Sequence, residues 1–458
     1  MALLPGRAQF REMVSLALPI AAVQLGLMAM GVVDTVMVGH LSAEALAAVA
    51  LGTIYFFAAA IFGMGTLLAL DPIAAQAVGA GDREAVAHAI QRGLVLAALL
   101  TLPVCVVLVP AAQVLLALHQ PASLVAIAGP FCLVSAAGVP GFLAFVVLRQ
   151  GLQAEGRTRG ILLTVLVANL ANVGLNWVLI FGHLGVAPLG PIGSAWATVA
   201  SRTLLPLLLL AFEWPHLRGQ LLPRRANLLA SGPLLAMLRI GVPIGFQHQL
   251  EYGVFGVVGL LMDTLGAAQM AGHQIALNLA SLTFMVPLGI GSAAAVLVGQ
   301  AVGAGDRRSA GESASAAIIL ALGFMSITAA VFLSAPGWLA GLYTNDRRAA
   351  AVAVLLIPLA GIFQVFDGLQ VVSIGALRGL ADTRTPMIAN IMGFWVLGLP
   401  IGLWLAFRVG LGAVGLWWGL VIGLVAVGLT LVVRLAWRLR QPLEPVAIEG
   451  HLSPPSFS

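Results

Sequence analysis

Three carboxylate side chains lie inside long apolar stretches of the sequence, where an ionised acid is costly and by default marks an ion or substrate pathway. These residues are Asp34, Glu251 and Asp367. A carboxyl group in an apolar environment can take up a proton near neutral pH, and a carboxylate among amide oxygens can hold Na⁺. Either event removes a negative charge and thereby weakens the binding of a cationic substrate. This competition is the simplest mechanism of antiport, and it is our mechanistic hypothesis.

Amide side chains accompany two of these acids at helical spacing. Gln247 precedes Glu251 by one turn, and Gln364 and Gln370 flank Asp367 at i−3 and i+3. Polar stripes of this kind face the interior of a helix bundle, because a lipid-facing position would not tolerate them. The carboxylates therefore favour a functional interpretation, since each of them needs a proton, a cation or an arginine partner.

Two other segments carry polar side chains on one face of a helix. They contain Asn169, Asn172 and Asn176, and Gln274, Asn278 and Ser281, respectively. These amides either line a polar cavity or hold neighbouring helices together by hydrogen bonds. Both interpretations stay open. Arg202 is the one arginine far from the ends of a predicted span, and it could pair with one of the three carboxylates but not with all of them.

The composition excludes a soluble protein. Of the 458 residues, 60% are hydrophobic and 9% are charged, against about 25% charged residues in a typical soluble domain. The mean hydropathy is +1.05, and the uncharged intervals are long enough for spanning helices of about 20 apolar residues. We predict an all-α integral membrane protein with twelve transmembrane helices, at residues 13–38, 46–69, 89–110, 124–148, 160–182, 190–212, 239–263, 273–297, 313–334, 351–377, 386–408 and 412–436.

The arginines predict the orientation, because the cytoplasmic loops of membrane proteins are enriched in basic residues. With twelve spans both termini share one side of the membrane, and most of the arginines fall on that side. The exceptions are Arg347, Arg348 and Arg408 on the other side and Arg202 inside the sixth helix. Both termini are therefore predicted to be cytoplasmic. The net charge of +5 reflects this topology and not nucleic-acid binding, because the arginines are scattered over many segments.

An internal repeat divides the chain into two halves. The octapeptide QAVGAGDR at 76–83 recurs unchanged at 300–307. We predict two six-helix bundles, at 13–212 and 239–437, related by a pseudo-two-fold axis along the membrane normal. The other segments are predicted to be cytoplasmic, with a tail at 1–12, a linker at 213–238 and a tail at 438–458. Two lobes around an axis form a cleft that can open to either side, as alternating access requires.

Motifs of enzymes and metal sites are lacking in the sequence. Cys105 and Cys132 lie in apolar runs without the spacing of a metal site or a disulfide framework. The GxGxxG pattern at 410–415 lies between two apolar helices and follows no strand, so it does not indicate a dinucleotide site. We therefore expect no enzyme and no cofactor other than a coupling ion.

Several short motifs together resemble the multidrug and toxic compound extrusion (MATE) transporters, in particular the NorM-like branch. The motifs are VDTVM at 33–37, GHL at 39–41, ALAA at 45–48, the duplicated QAVGAGD loops, LRG at 377–379 and DTR at 382–384. The resemblance covers about residues 13–436. It implies a V-shaped pair of six-helix bundles in a bacterial inner membrane. It also implies the export of organic cations and other amphiphilic small molecules in exchange for Na⁺ or H⁺, by a protein that we expect to be a monomer.

The resemblance also implies roles for individual residues. Asp34, Asn172 and Asn176 match polar site residues of the N-terminal lobe, and Glu251, Gln274 and Asp367 match cation and drug site residues of the C-terminal lobe, with Na⁺ possible at Glu251 and Asp367. We add Asn278 to the polar cavity because it shares a helix face with Gln274. Asp346, in a loop, matches a position implicated in drug contact in some members.

Two other functions are considered. A flippase of the same superfamily that moves lipid-linked oligosaccharides should line its cavity with basic residues, whereas acids outnumber arginines three to one within these spans. A channel or a membrane-embedded enzyme should show a filter-like segment or a catalytic motif, and the sequence has neither. We therefore predict a cation-coupled multidrug antiporter.

Overall fold

The computed structural model describes residues 5–222, 225 and 227–446, and every regular element within them is helical, as predicted. Ten helices of this part of the chain are long and apolar enough to cross a membrane, and a pair bent by 51° counts as an eleventh span. The predicted span at 124–148 is this bent pair. Twelve spans were predicted, and the one at 239–263 is not among these eleven. It lies within a helix of 34 residues, which is about 50 Å long and carries several polar residues in its middle.

The helices of the first repeat extend beyond most of the predicted spans. They are α1 (Arg7–Gly39), α2 (Ala43–Leu67), α3 (Leu70–Gly79), α4 (Arg83–Leu108), α5 (Ala111–Ala117), α6 (Ala122–Ala136), α7 (Val139–Ala154), α8 (Arg159–Phe181) and α9 (Pro191–Leu221). α2 and α3 together form one span of 37 residues, and α6 and α7 are the bent pair.

The second repeat has the same order of long helices. They are α10 (Ser231–Thr264), α11 (Ala267–Gly303), α12 (Arg307–Ser334), α13 (Pro336–Gly341), α14 (Arg347–Gly379), α15 (Arg384–Asn390), α16 (Leu399–Leu403) and α17 (Gly412–Arg438). Two π-helical segments, Ile391–Gly398 and Trp404–Arg408, join α15 and α16 into one span. Glycines allow this span to approach α17 closely, since a Cβ added to Gly398 would lie 2.8 Å from the carbonyl oxygen of Gly419.

The linker between the repeats is shorter than the predicted 213–238. α9 continues to Leu221 and α10 begins at Ser231. The first charged residue after the sixth apolar run, Glu213, does not end the helix, because its carboxylate accepts hydrogen bonds from Arg157. The predicted terminal tails fall partly outside the described residues, which exclude 1–4 and 447–458, and Pro223, Arg224 and Ala226 of the predicted linker also lie outside them.

The repeated octapeptide forms the same turn in both copies. Gly81 and Gly305 have positive φ angles of 72° and 71°, a conformation that glycine adopts without strain. The next residue, Asp82 or Asp306, then caps the following helix, accepting a hydrogen bond from the backbone N–H of the third residue on at 2.9 or 3.0 Å. Glycine for the turn and aspartate for the cap explain why these residues recur at this point.

The chain folds into two compact units that differ from the predicted bundles in two segments. The first segment, residues 5–21 with the first half of α1, belongs to the unit that contains 246–446. The second, the half of α10 that ends at Gly245, belongs to the unit that contains residues from 22 onwards. We call the unit of 246–446 the C-terminal unit and the other the N-terminal unit. The chain therefore passes from one unit to the other in the middle of α1 and again in the middle of α10.

Small residues pack each of these half-helices in its unit. In the N-terminal unit, a Cβ added to Gly65 of α2 would lie 2.8 Å from the Cα atom of Gly245. In the C-terminal unit, a Cβ added to Gly289 of α11 would lie 2.6 Å from the Cα atom of Ala21. Both pairs share the 224-residue offset of the octapeptide, so each close contact is the repeat image of the other.

Candidate functional site

Asp34 lies at the centre of a hydrogen-bonded cluster in the N-terminal unit. Asn176 Nδ2 of α8 donates to Asp34 Oδ1 at 2.6 Å, and Thr198 Oγ1 of α9 donates to Asp34 Oδ2 at 2.7 Å. Asn176 Nδ2 also donates to Asn172 Oδ1 at 3.1 Å. Both asparagines are fully buried. The structure thus brings the three predicted residues Asp34, Asn172 and Asn176 together from α1 and α8, and Thr198 adds a third helix.

The neighbouring Asn169 has a packing role. Its Nδ2 atom donates to the carbonyl oxygen of Gly26 at 2.9 Å, which links α8 to α1. The two helices approach closely at this point, because a Cβ added to Gly26 would lie 2.6 Å from the Val165 side chain. In the asparagine row of α8, Asn169 therefore joins two helices, whereas Asn172 and Asn176 surround the acid.

Arg202 follows Thr198 by one turn of α9 and is the basic group that acts on Asp34. The two side chains attract each other electrostatically. The Arg202 Cζ atom lies 3.8 Å from the centroid of the Phe56 ring and 5.7 Å from that of the Phe142 ring. The sequence left open which carboxylate Arg202 would serve, and in the structure it is Asp34.

Glu251 forms the corresponding cluster of the C-terminal unit, again on three helices. Gln370 Nε2 of α14 donates to Glu251 Oε1 at 3.2 Å, and Asn390 Nδ2 of α15 donates to Glu251 Oε2 at 3.4 Å. Gln370 Nε2 also lies 3.4 Å from Asn390 Oδ1. Both amide side chains are buried, and they donate to the carboxylate without neutralising its charge.

Asp367, one turn before Gln370 on α14, adds a second negative charge to this cluster. Its residue is 9% exposed, and its carboxylate is repelled by that of Glu251. In the part of the chain that the structure describes, Asp367 makes no hydrogen bond or ion pair, and neither acid has a basic partner. The buried Gln370 Oε1 atom also has no hydrogen-bond partner there. The cluster therefore combines two repelling carboxylates with a free amide oxygen.

The other predicted polar residues are arranged less closely around this pair. Thr283 Oγ1 of α11 donates to Gln364 Oε1 at 2.7 Å, which ties α11 to α14. Gln274 and Asn278, earlier on α11, are exposed and make no hydrogen bond within the described residues. Asp346 caps α14, where its Oδ1 atom accepts from the backbone N–H of Arg348 at 2.8 Å. The cavity role of these residues stays a prediction.

Sequence reasoning missed several residues of the clusters. Thr198 gave no signal, because threonine is common in apolar helices. Asn390 could have been found, because it is an amide side chain inside the apolar run of the eleventh span. Asp71 is buried and accepts a hydrogen bond from Gln150; it was overlooked because the apolar interval ends at residue 70, although the span continues to Gly79. Thr283 was overlooked in favour of Ser281.

The predicted Na⁺ site contains two carboxylates, those of Glu251 and Asp367, and not a larger group of acidic side chains. Among the described residues, no group of three or more His, Cys, Asp or Glu side chains could hold a metal ion. A cation at Glu251 and Asp367 would therefore need amide oxygens to complete its ligands, and Gln370 Oε1 is a free oxygen of that kind. The donor set is all oxygen, which suits a hard cation.

Comparison with known proteins decides the family. The MatE family model matches residues 19–178 and 243–404, one segment in each repeat. The chain belongs to the MatE family. Membership confirms the resemblance that the motifs indicated, and the two matched segments agree with the internal repeat.

Individual MatE relatives match most of the chain. It is 39% identical over 406 residues to the multidrug resistance protein NorM of Burkholderia vietnamiensis, with 87% of both chains covered. It is 34% identical over 439 residues to the multidrug resistance protein MdtK of Edwardsiella ictaluri, with 94% of this chain and 96% of that one covered. The crystal structure of a eukaryotic MATE transporter has the same fold, with a TM-score of 0.87 at 21% identity over 94% of this chain and 98% of that chain.

Proposed function

We propose that the chain is a multidrug efflux antiporter that exports amphiphilic, mainly cationic small molecules in exchange for Na⁺ or H⁺. Its family membership and its similarity to the NorM and MdtK multidrug resistance proteins support drug export. The observation that carries the coupling mechanism is a pair of carboxylates, the half-buried Glu251 and the buried Asp367, without a basic partner in the described chain. Two such groups favour the uptake of a proton or a cation, which relieves their repulsion.

The exchange follows from charge at this pair. When both acids are ionised, the cluster attracts a cationic substrate. When a proton or Na⁺ arrives, one negative charge is cancelled and the substrate is released. If ion and substrate bind one at a time and the site opens to alternate sides, a gradient of the ion drives the substrate outward.

The amides around Glu251 fit both coupling ions. A protonated carboxyl group must donate a hydrogen bond, whereas the ionised group only accepts. Gln370 now donates to Glu251, and its Oε1 atom is free among the described residues. A turn of this amide would present an oxygen to the carboxyl proton, or to a Na⁺ ion. Gln370 is therefore the residue that we expect to respond to the occupancy of Glu251.

The test uses purified protein in liposomes with ethidium as substrate and an imposed Na⁺ or pH gradient. We expect one of the gradients to drive ethidium movement, and the Asp367→Asn variant to lose this coupling by about two orders of magnitude. Glu44→Gln is the matched control, because Glu44 is an exposed acid in the first turn of α2. Dye movement with neither gradient, or wild-type antiport in Asp367→Asn, would contradict the proposal.

We further propose a monomer in the inner membrane of a bacterium, with both termini cytoplasmic. The distribution of the arginines supports this orientation, since all but four lie in the segments assigned to that side. Reporter domains fused after successive predicted spans would test it: a reporter active only in the cytoplasm should be active after every even-numbered span. Activity after odd-numbered spans would reverse the orientation.

A further inference from the structure

The π-helical segment Ile391–Gly398 begins directly after Asn390 in the eleventh span. At its end the backbone N–H of Leu399 donates to the carbonyl oxygen of Phe394, five residues earlier, whereas an α-helix would bond to the fourth. π-helices are rare and are frequently found at functional sites. This one adjoins the C-terminal cluster, because Asn390 Nδ2 donates to Glu251 Oε2 at 3.4 Å.

Trp395, inside this segment, makes a second contact with the turn of α10 that carries Glu251. Its Nε1 atom donates to the carbonyl oxygen of Leu250 at 3.1 Å. Gly253 leaves room for the indole, because a Cβ added there would lie 3.3 Å from Trp395 Cζ2. Asn390 and Trp395 therefore hold adjacent residues of α10, one through a side chain and the other through the backbone.

The π-helix gives Asn390 and Trp395 a common face. The two residues are five positions apart, and in an α-helix of 3.6 residues per turn they would point about 140° apart. A π-helix bonds residues five apart and has a wider turn, so residues at this spacing lie on the same side. The π-helical geometry is thus what allows both side chains to meet α10.

Another face of the segment has the same spacing. Gly393 and Gly398 are also five residues apart, and both pack against α17. A Cβ added to Gly393 would lie 2.8 Å from the carbonyl oxygen of Gly423, and one added to Gly398 would lie 2.8 Å from that of Gly419. Packing this close leaves the segment little room to shift. It is therefore held on α17 by its glycines and on α10 by Trp395.

We propose that Trp395 is a positioning residue of the coupling site, which acts through Asn390 by fixing the rotation of the π-helical segment against α10. The hydrogen bond from Asn390 to Glu251 is long, at 3.4 Å, so a small rotation of the segment breaks it. This inference rests on the proposed function and deepens it, because it adds a residue that sets the apparent affinity for the coupling ion without contacting the acid.

The test measures the ion concentration that gives half-maximal ethidium release from liposomes. Trp395→Phe keeps a ring and removes the N–H donor, and we expect it to change this concentration about threefold at a nearly unchanged maximal rate. Asn390→Ala should change it about tenfold. The double variant should change it no further, because the effects of residues that act through one another are not additive.

Trp404→Phe is the matched control, because Trp404 is an exposed indole in the second π-helical segment. It should leave the half-maximal ion concentration unchanged. Additive effects of Trp395→Phe and Asn390→Ala, or a wild-type ion dependence in Trp395→Phe, would overturn the inference.

Deletion of Val396 tests the π-helix itself. Without this exposed residue, Gly393 and Gly398 are four positions apart and share a face of an α-helix. Asn390 and Trp395 stay five apart, so an α-helix would separate them. We expect a folded protein with the ion dependence of Asn390→Ala. Wild-type ion dependence in the folded deletion variant would contradict the positioning role.

A last measurement does not depend on transport. Dicyclohexylcarbodiimide reacts with protonated carboxyl groups in apolar sites, and mass spectrometry gives its rate of attachment to Glu251. We expect this rate at fixed pH to rise about threefold in Trp395→Phe, because the donor that favours the ionised carboxylate is displaced. An unchanged rate would overturn the inference. If neither ion gradient moves ethidium in the wild type, the proposed function fails, but the labelling rates still decide whether Trp395 positions Asn390.

Discussion

The two polar clusters share two pairs of equivalent helices, α1 with α10 and α8 with α15, but they differ in the charged groups around their acids. In the N-terminal unit, Arg202 attracts Asp34 electrostatically. In the C-terminal unit, Glu251 and Asp367 repel each other, and no described basic residue compensates them. A duplicated fold therefore does not duplicate its chemistry, because a few substitutions between the repeats change the charged groups that surround the acids.

The substitutions can be read from the repeat itself. The pairs Gly193 with Gly415 and Trp196 with Trp418 set an offset of 222 residues between α9 and α17. At this offset Thr198 and Arg202 correspond to Leu420 and Leu424, which are both buried and apolar. The second repeat thus lacks the two α9 residues that act on the acid of the first, Thr198 by a hydrogen bond and Arg202 by electrostatic attraction.

A second substitution runs in the reverse direction. The turn that follows α7, with the N–H of Arg157 bonded to the carbonyl of Leu152, recurs after α14 between Asp382 and Leu377. At this offset of 225 residues, Phe142 corresponds to Asp367. The first repeat therefore places an aromatic ring near its arginine where the second repeat places an acid near its glutamate.

The largest effect on transport should come from removing the charge of an acid in one cluster and comparing it with the same change in the other. We expect Glu251→Gln to reduce gradient-driven ethidium transport in liposomes by about 100-fold, whereas Asp34→Asn reduces it by less than about tenfold, since coupling free energies of 1–3 kcal/mol correspond to such factors. Transport rates at a fixed gradient check this. Equal losses in both variants would mean that the two clusters take part equally in coupling.

A smaller effect, on stability, should appear equally in both repeats. It concerns the close contacts of Gly65 with Gly245 and of Gly289 with Ala21. We expect Gly65→Leu and Gly289→Leu each to lower the free energy of unfolding by about 2 kcal/mol, because overpacking typically costs 1–3 kcal/mol. Thermal unfolding in detergent measures it. Gly323→Leu is the control, since a side chain at Gly323 meets no atom within 4 Å; a clear difference between the two crossings would show that they are not equivalent.

Loss of one donor to Glu251 should have a moderate effect on the C-terminal cluster alone. Asn390→Ala removes a hydrogen bond to a charged group, worth about 1.5 kcal/mol at the lower end of the usual range, and should change the apparent affinity for the coupling ion about tenfold. The ion concentration that gives half-maximal ethidium release measures it. Asn169→Ala, which removes a packing amide in the other unit, should leave that concentration unchanged.

The smallest effect on stability should come from breaking two ion pairs that lie at equivalent turns but have the acid and the base exchanged. Arg157 pairs with Glu213 of α9 at 2.7 Å, and at the equivalent turn Asp382 pairs with Arg434 of α17 at 2.7 Å. Because one member of each pair is partly exposed, we expect Arg157→Gln and Arg434→Gln each to cost about 0.5–1 kcal/mol of stability. Double-mutant cycles with Glu213→Gln and Asp382→Asn measure the pair energies, which should agree within error. A pair energy of zero in one repeat would mean that only the ion pair of the other repeat stabilises the protein.

The sequence predicted the helices well because long apolar runs have few alternatives in a membrane. It also predicted three members of the Asp34 cluster and the two acids of the other cluster, because an acid or amide within such a run is conspicuous. The helix ends were harder, since Glu213 reads as the start of a linker but is held in α9 by Arg157. Thr198 and Asn390 could not be assigned, because helical periodicity gives the face of a residue and not the neighbour that the face meets.

The passage of the chain between the units within α1 and α10 has a consequence for synthesis. Residues 5–21 are made first, yet the Gly289 contact that packs them is made after more than half of the chain. The C-terminal unit can be completed only when residues 246–446 have been synthesised and residues 5–21 can pack against them. Contacts so distant in sequence are slow to form. A cut in the segment that joins α9 to α10 would leave each fragment without a half-helix that the other carries, so the two fragments should be stable only when they are produced together.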